Sequence, residues 1–200
     1  MMIWISFFTN FLILVSALFV GLKNKFLIEE KSYVFFLLLT GFSSGLAAFG
    51  HLPLISPSWS SYLLLASRVL SIISAFMFAR GSLNYANFMG ARLLIKINFM
   101  LLIAALIWLL AYNLFLPVIV YGVICLVGIG VPSLLSMDST HNAGKNLVLI
   151  GIIGMAISAI VFTIFQRNYE FISLNLSHII VALSLISFAL GFERLTLKLR

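Results

Sequence analysis

Charge is what this chain has least of. Only 8% of its 200 residues are Asp, Glu, Lys or Arg, and 5 of these are acidic. Soluble globular chains carry about 25% charged residues, so a water-facing surface cannot be made from this inventory. Asp138 is the single aspartate and Cys125 the single cysteine. One cysteine excludes an intramolecular disulfide, and its position inside an apolar segment reads as small-residue packing. What is present instead is hydrocarbon: 63% of the residues are hydrophobic and the mean hydropathy is +1.21. A body this small cannot hide that much apolar surface from water. The composition therefore sets aside soluble enzymes, nucleic-acid-binding modules, disulfide scaffolds and disordered chains. The bilayer is the expected solvent, and membrane lipids are the expected neighbours.

A membrane-spanning helix needs about 20 mostly apolar residues to cross about 30 Å of hydrocarbon. Such stretches occur at residues 2–22, 33–50, 61–80, 93–113, 117–135, 146–165 and 177–192. The first is too long for a signal-peptide core and lacks a small-residue cleavage site, so it counts as a span. The block from Leu93 to Leu135 would be about 60 Å long as one helix. Pro117 divides it, because a proline disfavours helix at the residue before it. The expectation is an all-α, polytopic membrane protein: a single seven-helix bundle over 1–200 with short connections.

With seven spans, alternate loops lie on alternate faces. Let face X be the side of the N-terminus and face Y the other. Of the 12 basic residues, all but Arg68 and Arg167 fall to face Y. Cytoplasmic loops carry the excess of Lys and Arg. The net charge of +7 thus reads as a record of orientation, not as a nucleic-acid footprint: N-terminus outside, C-terminus cytoplasmic. Aromatic anchors are expected near face X at Trp4, Trp59, Tyr62, Trp108, Tyr112 and Tyr169, and near face Y at Tyr33 and Tyr85. The compact loops point to a bacterial cytoplasmic (inner) membrane.

Ionisable residues inside spans are costly and mark functional sites by default. His51 closes the second span, Arg68 lies within the third, and His178 opens the seventh, all toward face X. His141 falls on the opposite face. Helical spacing places Gly41, Ser44, Ala48 and His51 on one stripe, Arg68, Ser71 and Ala75 on another, and Asn175, His178 and Ala182 on a third. Ser67 and Ser74 flank the second stripe, and Ser184, Ser187 and Gly191 make a further small face. Small and hydroxyl residues let membrane helices approach and hydrogen-bond. A polar pocket at face X built from Ser44, Arg68, Ser71 and Asn175 with the two histidines is the functional expectation. Plain helix packing and interfacial histidines are the alternative. Gly151, Gly154 and Ser158 make a comparable small face on the sixth span, which a membrane-protein partner or a second copy would use if it were exposed.

Seven spans in a short chain, with the run Gly45-Leu46-Ala47-Ala48-Phe49-Gly50-His51 and the segment Asn175-Leu176-Ser177-His178, resemble the alkaline ceramidase, adiponectin receptor and haemolysin III superfamily. The likeness is greatest to its short bacterial relatives. It covers the whole chain as topology and rests on those two segments. Characterised members hold zinc within the bundle and hydrolyse lipid amides, using one histidine from the second helix and an H-x-x-x-H pair from the seventh, with a serine and an aspartate. The resemblance implies His51 and His178 as zinc ligands and Ser44 as the serine. The chain departs from the pattern at Ala182, where the second histidine of the pair would stand, and Asp138 is in a loop on face Y. A third ligand would have to come from Glu170 or Asn175. Three readings follow: a ceramidase-like bundle that is non-catalytic, serving as a lipid- or ligand-binding scaffold or a complex subunit; a zinc-dependent hydrolase of lipid amides or esters; and a small-solute transporter. For the last, only Gly128, Gly130 and Pro132, toward the end of the fifth span, hint at a helix break. A retinal photoreceptor is weaker still, because the seventh span has no lysine for a Schiff base: the first is Lys198, beyond it.

Overall fold

A computed structural model describes residues 2–24, 28, 30–86 and 89–197; side chains at 2–3, 5–6, 24, 140, 163–171 and 196–197 lie outside the description. Among the described residues seven long helices follow one another. They are α1 (Met2–Asn24), α2 (Lys31–Gly50), α3 (Pro57–Tyr85), α4 (Ala91–Tyr112), α5 (Leu116–Leu135), α6 (Asn142–Phe162) and α7 (Ile172–Leu195). Six of them, α2 to α7, are long and apolar enough to cross a membrane, and α1 adds a shorter apolar stretch, Phe7–Lys23. The protein is membrane-integral and all-helical.

Local chemistry sets the ends. The Glu30 carboxylate accepts from Ser32 N at 2.9 Å and caps α2, while Pro57 opens α3, where its missing N–H costs nothing. Gly90 enters α4 at φ 103, a backbone that side-chain-bearing residues disfavour. Asn113 leaves it in the left-handed region at φ 49. The helices overrun the expected spans, most visibly α3, whose 29 residues make about 44 Å, well beyond the hydrocarbon thickness. Hydropathy marks the segment inside lipid, whereas backbone hydrogen bonding carries a helix on until a cap stops it.

Helical residues run through Asn142–Leu197, and their pairings divide them into two antiparallel helices. A Cβ placed on Gly144 would lie 2.9 Å from Leu195 N, and one on Gly191 would lie 2.9 Å from Val148 N. Ser187 Oγ donates to Leu147 O at 2.7 Å, and Ser158 Oγ to Ser177 O at 3.0 Å. The two small faces expected on these helices thus meet each other. Gly151 lies against Phe188 and Gly154 against Ser184, which overturns that face as a docking surface for a partner: α7 already covers it.

Helix α3 separates two apolar cores. The larger, on the side of α1, α2, α6 and α7, centres on Tyr33, Phe36, Phe78, Phe188 and Phe192, with the Tyr33 and Phe192 rings stacked at 3.9 Å. Tyr33 is fully buried and donates to Ser82 Oγ at 3.4 Å, so it is a core residue rather than an interfacial anchor. Interhelical stacking outweighs a place at the headgroups. Trp59, Tyr62 and Tyr112 are each about two-thirds exposed, as anchors should be. The smaller core joins α3, α4 and α5 through Ile72, Phe76, Leu109 and Tyr121. Cys125 is buried there, as its apolar setting implied.

The irregularity in α5 is larger than the sequence suggested. Residues Ile124–Gly130 are π-helical, in the middle of the span. Pro132 explains it: without an N–H it cannot bond to the carbonyl four residues back, and its ring crowds that turn. A π-bulge accommodates the mismatch, and Gly130 lets Phe78 press against the bulge.

Candidate polar site at face X

Antiparallel packing brings one end of every helix to face X. The best-defined polar group there joins α1 to α7. Thr9 Oγ1 donates to Asn175 Oδ1 at 2.9 Å and lies 3.1 Å from His178 Nδ1. A threonine hydroxyl has a single proton. If that proton goes to the Asn175 carbonyl, the contact with His178 requires the Nδ1–H tautomer, in which Nε2 carries the lone pair. His178 and Asn175 are both half-buried.

His51 stands at the end of α2, where its N–H bonds to Ala47 O and Ala48 O, and its ring is exposed. It lies within electrostatic reach of His178 and of Arg68. Desolvation at the helix end, then the Arg68 cation, lower its pKa. Arg68 is half-buried on α3. Its Nη1 donates to Asn113 O at 2.7 Å and to Asn113 Oδ1 at 2.8 Å. A cation on the last carbonyls of α4 also complements the negative end of the helix dipole.

The serines divide differently from their stripes. Ser43, not Ser44, is the hub between α2 and α3. Its Oγ is 2.6 Å from Ser71 Oγ and 3.1 Å from Ser67 Oγ, and it donates to Ser67 O at 2.9 Å. Thr40 and Ser74 repeat the pattern nearer face Y, at 2.6 Å. Ser71 is thereby tied into helix packing rather than held in a pocket with the histidines. The stripe carrying Gly41 meets Ala17 and Leu14 of α1 instead. Ser44 is half-buried. Glu170 and Arg167 lie among the side chains outside the description.

Two imidazoles within reach of each other fall short of the three protein ligands a catalytic zinc takes. Among the described residues, no three His, Cys, Asp or Glu side chains converge. Ala182, the position that breaks the expected pair, is 4% exposed and sits within the larger core. Among the described residues the donor set thus stops at two histidines, and Glu170, the expected third ligand, lies outside the description.

Several polar residues escaped the sequence reading: Thr9, Asn113, Ser43 and Asn98. Asn98 is 1% exposed, and its Oδ1 accepts from Tyr121 at 3.1 Å and lies 3.6 Å from Cys125 Sγ. A polar residue in an apolar run was the available signal for Asn98, and the pair Thr9-Asn10 the signal for Thr9. The partners, more than a hundred and sixty positions away for Thr9, were invisible. Away from these residues, a groove of about 270 Å³ between α1 and α7 opens toward face Y beside Lys23 and Glu193. Glu193 falls within the last turn of α7, one residue past the expected end of the span.

No curated protein and no solved structure matches this chain. One family model does, over residues 5–197, and the chain belongs to that family: DUF6962, a family of unknown function.

Proposed function

We propose that this protein is a non-catalytic membrane scaffold with a ceramidase-like bundle, holding a lipid or small ligand at the polar end formed by Thr9, His51, Arg68, Asn175 and His178. The observation that carries this reading is Ala182 at the core. The seventh helix uses for packing the position where the hydrolases it resembles place a ligand, and the Thr9–Asn175–His178 network holds one imidazole in place. A pre-oriented donor and acceptor set without a charged base suits binding better than hydrolysis.

The orientation proposed is N-terminus outside and C-terminus cytoplasmic, in a bacterial inner membrane, on the strength of the basic residues at face Y. Ser56 and Asn142 are exposed at opposite ends of the bundle. Cysteines introduced there should label from opposite sides of intact cells, and labelling of both from outside would overturn the span count.

A zinc-dependent lipid hydrolase is the second reading. It is favoured by the free Nε2 that Thr9 leaves on His178, since metal-bound histidines characteristically donate their other ring N–H to a neighbour. Metal content of the detergent-purified full chain decides between the two. The scaffold reading expects no zinc above background in wild type. About one zinc per chain, lost in both His51→Ala and His178→Ala, would replace it with the hydrolase.

A further inference from the structure

Arg68 is held in one pose and left half used. A guanidinium has five N–H donors in a fixed plane. Both on Nη1 go to Asn113, and the donors on Nε and Nη2 meet no acceptor among the described residues. Those two nitrogens form the side-on edge of the fork, the geometry that takes two oxygens of a phosphate at once. Asn113 fixes where that edge lies, because its left-handed cap presents the main-chain and side-chain oxygens together. Among the described residues no hydrogen bond engages the ring of His51, which leaves its N–H available to the same anion.

The surroundings are those of a membrane interface. The α4–α5 turn next to Arg68 exposes Tyr112, Leu114, Phe115 and Leu116, and α3 exposes Tyr62 one turn and a half away. Exposed Tyr residues beside apolar side chains are the composition of a headgroup-level belt, the setting in which a guanidinium would meet lipid phosphate.

We propose that the Nε–Nη2 edge of Arg68, positioned by Asn113, binds the phosphate of a membrane phospholipid at face X. This rests on the reading of that end as a ligand site and names its ligand class. An oriented fork facing a phosphate gives charge-assisted bonds of about 1.5–3 kcal/mol in all, which corresponds to roughly a 10- to 100-fold change in affinity when they are lost.

Native mass spectrometry of the detergent-purified full chain, titrated with palmitoyl-oleoyl phosphatidylglycerol, tests it. Arg68→Gln should weaken the tightest lipid by about tenfold or more. Arg68→Lys keeps the charge but not the fork and should fall between. Asn113→Gly retains the left-handed backbone, removes Oδ1, and should weaken binding by a smaller factor. Arg80→Gln, an exposed arginine of the same helix toward face Y, should leave it unchanged, which separates this site from general cationic attraction. Equal lipid retention by wild type and a folded Arg68→Lys and Arg68→Gln would overturn the proposal. Competition by millimolar inorganic phosphate as effective as added lipid would also overturn it, since the site would then serve a soluble anion. Equal weakening in Arg80→Gln would show that any arginine retains the lipid and would refute a site centred on Arg68.

Discussion

The crossing of α6 and α7 allows the sharpest quantitative test, because there backbone meets backbone. A methyl added at Gly191 would lie 2.9 Å from Val148 N and 3.0 Å from Gly144 O, besides striking a Val148 side-chain carbon at 2.6 Å. The side chain can turn away; the main chain cannot. To restore ordinary contact distances the two helices must separate by about 0.5–1 Å, and a gap of that size forfeits a quarter to a half of each affected dispersion well. Overpacking of this kind costs about 1–3 kcal/mol, against which the better helix propensity of Ala returns up to about 1 kcal/mol. Gly191→Ala should therefore destabilise by about 1–2 kcal/mol. Gly122 is the control: a Cβ there meets nothing within 4 Å, so Gly122→Ala should be neutral or slightly stabilising. Cys125 supplies the assay. As the single cysteine, buried in the α3–α4–α5 core, it reacts with a thiol-reactive fluorophore only as the bundle opens. Thermal unfolding in detergent should show Gly191→Ala melting several degrees below Gly122→Ala. Equal midpoints for the two would refute the claim that close backbone approach holds α6 to α7.

Three further outcomes follow from the same coordinates. Ser43→Ala removes the hub between α2 and α3 but lets Ser67 and Ser71 turn to their own helix carbonyls, so the loss should be about 0.6–1 kcal/mol in the same unfolding assay. A loss above about 3 kcal/mol would mean that Ser67 and Ser71 stay unsatisfied. Partial desolvation at the helix end and the Arg68 cation hold the His51 pKa below its ordinary 6.5, so protonation is harder in the folded state. Stability from this group is complete above the unfolded value and is lost as pH falls through the lower folded one. His51→Gln should flatten the fall in melting temperature on acidification below about pH 6.5; an unchanged acid limb would remove His51 as its source. Thr9→Val keeps the shape and deletes the hydroxyl that orients His178, so it should weaken the α1–α7 contact by about 1 kcal/mol and shift the ring-nitrogen NMR signals of His178. Signals unchanged from wild type would show that Thr9 does not set the tautomer.

Composition and periodicity were enough to read the order of the helices and the membrane-spanning character of six of them, because hydrocarbon admits only segments whose backbone bonds are satisfied internally. They also brought His51, Arg68 and His178 to one end, since alternate spans reverse direction. Side-chain partnership was another matter. Adjacent serines at 43 and 44 differ by about 100° around the helix, and only the docking of α3 selects Ser43. Tyr33 looked like an anchor until Phe192, far along the chain, stacked on it. The face carrying Gly151 looked available to another protein until α7 folded onto it. The zinc pattern, too, was broken in the sequence at Ala182, but only the tertiary structure shows that the position is committed to the core. A single chain records which residues tolerate lipid, a property of each segment alone. Which polar atoms meet depends on how rigid helices rotate and cross, and that is decided jointly by side chains distant in sequence.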